Sequence, residues 1–327
     1  MKKAAIIILA VITALTLAVT LCLTVSPVPT SLLMRKLFET PNLSPPEGYT
    51  AMEQAVTVHS DITYPSEYAE NSLDIYLPKA ANENLPVILW IHGGAYVGGD
   101  KSDARYYCTA LASNGYAVIS MNYNRAPEAT YPTPILQIEE VYKWITSSAE
   151  QYSLDPAKIV LAGDSAGAHS ATIFALIQTN PDYAEKFGFT ASIPAENLKG
   201  LLLYCGPYDV QMTGDISGVF GLMIDRAGWA YFGTSDWASA KDEEVTIKHH
   251  LTAQFPPTFI TDSAKASFDK QGKELAEELE KANIPVASYF PTADVGKTEH
   301  EYQFQMDTPA GAECYKLTLQ FLETYMK

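Results

Sequence analysis

A chain of 327 residues with 47 % hydrophobic and 18 % charged side chains has the apolar material for a large core and is not a disordered polymer. Its formal net charge of −16 disfavours nucleic acid and anionic lipid headgroups as partners. Four cysteines, Cys22, Cys108, Cys205 and Cys314, stand far apart without C-x-x-C spacing, which argues against a disulfide framework and against a zinc site.

In chain order, Lys2 and Lys3 precede an uncharged run over residues 4–25. A run of about 20 apolar residues is long enough to cross a bilayer as a helix. Residues 1–25 are therefore expected to be an uncleaved signal anchor, with the lysines in the cytoplasm and the rest of the chain outside, held to the membrane by this N-terminal segment. A cleaved signal peptide and a secreted protein are the alternative. Residues 26–54, with Pro27, Pro29, Pro41, Pro45 and Pro46, read as a stiff spacer. A short helical patch over 31–39 interrupts it and either lies on the membrane or packs on the domain. The folded domain is expected to cover 55–327.

Within that domain, strands are expected at 56–62, 73–77, 87–91, 117–122, 159–162, 201–205, 258–261 and 286–290. From the third onward they are mostly continuous apolar runs, the mark of strands buried on both faces. Helices are expected at 103–113, 135–149, 166–179, 270–282 and 314–325. Alternation of strand and helix implies an α/β fold with a mostly parallel eight-stranded sheet and helices on both faces. No helix separates the first two strands, so an antiparallel start is expected. Residues 206–257, between strands six and seven, carry Phe220, Trp229, Tyr231, Phe232 and Trp237. An insertion this long is expected to be a lid or binding element, or else a surface appendage.

Three motifs carry chemistry. Gly163-Asp164-Ser165-Ala166-Gly167 stands between an apolar strand and a helix-like run, the setting of a nucleophile elbow. Small residues flank the turn, and Ser165 is the candidate nucleophile. His92-Gly93-Gly94-Ala95-Tyr96 ends the third strand. There the N–H groups of Gly93 and Gly94 could join that of Ala166 as an oxyanion hole, with His92 as a structural residue. His300, after the last strand, is the candidate base, since the base comes last in this order of residues. His59 is too early, His169 sits on the helix after the nucleophile, and His249 and His250 belong to the insertion.

These motifs, with Asn122-Tyr123-Asn124-Arg125-Ala126-Pro127-Glu128, Tyr131-Pro132 and Pro256-Pro257-Thr258, resemble the hormone-sensitive-lipase-like branch of the α/β-hydrolases over residues 70–327. The resemblance implies an α/β-hydrolase fold and a serine esterase of short-chain or acetyl esters. It also implies a lid over an acyl pocket at 206–257, a small-molecule ester as substrate, and no metal or organic cofactor. Two positions depart from the pattern. The third glycine of the loop is Ala95, and the usual position of the catalytic acid is Ala266. Asp262 is the expected acid, with Asp209 and Asp269 as alternatives. The same fold could also serve an amidase, peptidase or arylformamidase, or a ligand binder without catalysis.

Overall fold

The structure, a computed structural model, describes residues 2–38, 44–80 and 84–326. Glu39 and Pro41 lie outside the described residues, and Cys22 outside the described side chains.

Eight strands form one sheet: β1 (Val56–Thr63), β2 (Ser72–Pro78), β3 (Leu85–Ile91), β4 (Ala117–Met121), β5 (Leu154–Asp164), β6 (Leu198–Tyr204), β7 (Thr258–Thr261) and β8 (Val286–Tyr289). Their order is β1-β2-β4-β3-β5-β6-β7-β8. β1 pairs antiparallel with β2, and β2 with β4; every later pairing is parallel. The antiparallel start follows from the direct β1–β2 connection, which is too short for a crossover helix.

Alternation along the strands sends side chains to two separate cores. Val87, Leu89 and Ile91 face one layer with Ile159, Leu161, Leu201 and Leu203. Ile88 and Trp90 face the other with Val160, Ala162, Leu202 and Tyr204. Helices Thr133–Ser147 and Ala166–Thr179 cover the first face, while Arg105–Ala112 and Pro309–Met326 cover the second. The described side chains of Cys108, Cys205 and Cys314 are buried and unpaired. Because β3, β5 and β6 are neighbours, the loops leaving their carboxyl ends meet, and ligands bind at such ends in open α/β sheets.

Residues 206–257 fold into helices Val210–Gly214, Gly218–Phe232 and Trp237–Val245. They pack as a layer above the β5 and β3 ends, where Phe220, Met223 and Ile224 face a cavity. The proline-rich stretch holds more structure than its composition suggests. Helix Val28–Phe38 lies against the domain, with Met34 buried and Arg35 donating to the Val97 carbonyl (2.7 Å), the Ala126 carbonyl (2.6 Å) and Glu128. A second helix, Tyr49–Ala55, leads directly into β1.

Lys2–Val25 is one helix, and its side chains are not described at positions 2, 4, 5, 15 and 18–23. Among the described residues no helix is long and apolar enough to cross a membrane, so the anchor expected at 1–25 gains no support from the structure.

Candidate active site

The turn after β5 is tight because its flanks have no side chains. A Cβ at Gly163 would lie 2.5 Å from the Gly167 carbonyl carbon, and one at Gly167 would run into the carbonyl oxygen of Ile91. Ser165 itself takes φ 51° and ψ −119°, a conformation L residues rarely adopt, and its N–H donates to Tyr204 O (2.8 Å). The strain is held by buried surroundings and aims Oγ out of the sheet. Ala166 begins the following helix, so its N–H is one of the first four without an intrahelical acceptor.

His300 stands opposite, with Nε2 3.0 Å from Ser165 Oγ. Its ring meets Phe268 edge to face at 5.7 Å, and burial pulls its pKa down to about 4, so the imidazole is neutral near pH 7. Nδ1 lies 2.7 Å from Ser267 Oγ, and Ser267 in turn donates to Asp262 Oδ1. Asp262 also accepts the Ser263 N–H at 2.7 Å. These bonds set the tautomer: Nδ1–H donates to Ser267, and Nε2 accepts from Ser165.

Asp262, the expected acid, is therefore part of the array but does not touch His300. Its side chain is fully buried, its Oδ2 has no partner among the described residues, and burial pushes its pKa up to about 7. The intervening Ser267 was not read from the sequence. Its signal is a hydroxyl one residue beyond Ala266, whose φ of 50° turns the chain so that Ser267 reaches the imidazole. Asp209 is engaged elsewhere, capping Met212 N (2.9 Å) and pairing with Lys248 (2.6 Å), and Asp269 pairs with Lys273 (2.7 Å). Neither reaches His300.

The oxyanion hole needs one correction. The Gly93 N–H donates to Asp164 Oδ2 (2.8 Å) and cannot also meet a substrate oxygen. The N–H groups of Gly94 and Ala95 have no acceptor among the described residues, and Ala95 and Ala166 line a small pocket beside Ser165. The donors available are thus Gly94, Ala95 and Ala166. Asp164 ties the glycine loop to the elbow, because its other oxygen accepts Trp90 Nε1 (2.8 Å). Glu301 lies beside the same carboxylate at Gly93, and burial next to Asp164 keeps its proton on well above the ordinary carboxylate range. Glu301 Oε1 lies 3.7 Å from His300 Nε2.

The other histidines pack. His92 Nδ1 donates to the Gly93 carbonyl (2.7 Å) and its ring stacks on Tyr123 at 4.3 Å, so it shapes the glycine loop. His169 accepts from Tyr96 Oη (2.8 Å) and donates to the Val245 carbonyl (3.0 Å). Cys205 Sγ, an Asp262 oxygen and a His300 nitrogen lie within 4.8 Å of one another. Both His300 nitrogens are already committed, and burial holds the Cys205 thiol protonated, so this donor set suits the hydrogen-bonded array better than a cation.

Residues 73–279 match the family model BD-FAE, which spans more than half of the chain and includes the elbow, the glycine loop and Asp262. The chain belongs to the BD-FAE family. As a BD-FAE protein it is an α/β-hydrolase, and its motifs place it with the hormone-sensitive-lipase-like branch. It is 31 % identical to esterase LipQ of Mycobacterium tuberculosis over 46 % of this chain and 36 % of that protein. It is 28 % identical to kynurenine formamidase of Danio rerio over 73 % of each chain. The chain thus spans about a third of LipQ's length. Among solved structures, esterase B of Lactobacillus rhamnosis superposes with a TM-score of 0.71 at 23 % identity, covering 85 % of this chain and 89 % of that one. This likeness is one of fold.

Proposed function

We propose that this BD-FAE protein hydrolyses carboxylic esters through a Ser165 acyl-enzyme. The carrying observation is the 3.0 Å contact between Ser165 Oγ and a neutral, tautomer-fixed His300, near the Gly94, Ala95 and Ala166 N–H groups, which have no acceptor among the described residues. Ser165 attacks the ester carbonyl while Nε2 takes its proton. The oxyanion is met by Gly94, Ala95 and Ala166. The imidazolium is steadied through Ser267 by Asp262, and His300 then returns the proton to the leaving alcohol. Water, deprotonated by His300, releases the acid. Short acyl groups are the expected substrates.

The test is hydrolysis of p-nitrophenyl acetate, butyrate and octanoate by the full chain and by Ser165→Ala. Loss of about a thousandfold or more in the variant is expected of a nucleophile. A folded wild type no faster than Ser165→Ala on all three sinks the proposal.

A second reading is hydrolysis of an aryl formamide, which the equal 73 % coverage with a kynurenine formamidase favours. The same acyl transfer serves both, and turnover of N-formylaniline against phenyl acetate separates them. For location, the two lysines before residues 4–25 support an extracytoplasmic enzyme held by that segment; protection of the domain from protease added outside intact cells would exclude it.

A further inference from the structure

The space around Ser165 is divided unequally. On one side lies an open cavity of about 460 Å³, lined by His300 and walled by Met34, Leu37, Phe38, Phe220 and Met223. On the other lies a pocket of about 30 Å³, lined by Ala166, Ala95, Val210, Ile224 and Trp237. Ser165 lines both, and His300 lines only the larger.

That asymmetry assigns the two halves of a substrate. The proton on His300 must pass to the leaving oxygen, within about 3 Å of Nε2. The alcohol therefore occupies the cavity that His300 lines, and the acyl chain occupies the small pocket beside the oxyanion donors. A water needs roughly 10–15 Å³ measured in this way, so the small pocket has room for two or three carbon-sized groups. The alcohol side falls within the roughly 300–1,000 Å³ range of sites that hold whole small molecules.

Trp237 lines the small pocket. Its indole is 3 % exposed, stacks on Phe232 at 5.8 Å and lies on Gly228, where a Cβ would be 2.6 Å from the indole Cδ2. Its Nε1 donates to Asp225 Oδ1 (3.4 Å). Glycine at 228 is what admits the ring to the pocket wall.

We propose that Trp237, seated on Gly228, limits the acyl group to about the size of acetyl or propionyl, while the opposite cavity selects a bulky, largely apolar alcohol. The substrate class is thus a short-acyl ester of a large alcohol. This rests on the ester-hydrolase reading above.

The experiment is a matrix of kcat/KM values. One axis compares p-nitrophenyl acetate with the hexanoate. The other compares ethyl acetate with 2-(2-naphthyl)ethyl acetate, whose alcohols have similar leaving ability. The wild type is expected to prefer acetate and the naphthylethyl ester by about tenfold or more each, the scale set by size discrimination in apolar pockets. Trp237→Ala is expected to shift the acetate-to-hexanoate ratio about tenfold toward hexanoate, leaving the alcohol preference in place. Phe220→Ala should do the converse. Should Trp237→Ala fail to fold, Val210→Ala widens the same pocket and predicts the same direction. Ser165-dependent turnover with equal or greater preference for hexanoate in the wild type, or an unmoved ratio in a folded pocket variant, overturns the inference and leaves the esterase reading standing. Absence of Ser165-dependent turnover on every ester removes both.

Discussion

Ser267 Oγ lies 2.7 Å from His300 Nδ1 and donates to Asp262, so a hydroxyl stands where an acid would ordinarily meet the base. The carboxylate acts on the imidazole at one remove. Its charge still favours the imidazolium, but the geometry of the ring is set by Ser267, which makes Ser267 a positioning residue.

Ser267→Ala is accordingly expected to lower kcat by about tenfold to a hundredfold with KM little changed, because a group acting only in the transition state is lost. Ser267→Thr keeps the oxygen and should recover most of the rate. Steady-state kinetics on the three proteins check this, and a variant at wild-type rate contradicts it.

The pH profile should report Asp262 and not His300. His300 is neutral above about 4, whereas Asp262 gains its charge only through about 7, so kcat/KM should rise with pH around neutrality. Asp262→Asn removes that limb and lowers the plateau. Ser267→Ala should also flatten it, since the charge is felt through that hydroxyl.

Stability carries the opposite sign. The folded carboxyl of Asp262, raised by burial from 3.8 to about 7, keeps a proton that the unfolded chain has released between those values, so its contribution to stability falls as pH rises from about 4 to 7. The stability of Asp262→Asn relative to wild type should therefore improve across that window and level off above it. Denaturant titrations at pH 4, 6 and 8 check this, and a pH-independent difference would contradict it.

Gly93→Ala should destabilise the fold. Its Cβ would press on the Asp164 carboxylate and fall 2.9 Å from Glu301 Oε1. Overpacking of that kind costs about 1–3 kcal/mol, visible as a lower Tm.

Arg35→Ala tests the docking of the N-terminal helix. It strips the donor from the carbonyls of Val97 and Ala126, a loss of about 1–3 kcal/mol if they stay buried. Met34 and Phe38 wall the large cavity, so KM for esters of bulky alcohols should rise with kcat retained. An unchanged KM would show that the helix does not shape the site.

The fold was legible because its signals are local. The apolar runs of β3 to β7 cannot be exposed, and the glycines at 163 and 167 make sense only at a strand-to-helix turn. Ser165 and Asp262 directly follow the ends of β5 and β7, and His300 lies between β8 and the last helix, positions that sequence order can locate. What stayed hidden depends on a few torsions and on distant partners. The positive φ of Ala266 puts Ser267 against His300. The Asp164 carboxylate claims the Gly93 N–H and moves the oxyanion donors to Gly94, Ala95 and Ala166. Arg35 fastens a proline-rich segment to carbonyls 62 and 91 residues away, which no composition reveals.

The central claim is that Ser165 is acylated during ester hydrolysis, and intact-protein mass spectrometry with a fluorophosphonate ester tests it most directly. One adduct per chain, located on Ser165, absent in Ser165→Ala and slowed in His300→Ala, is the predicted result. A folded protein that takes no adduct, or takes it elsewhere while still hydrolysing esters, contradicts the account.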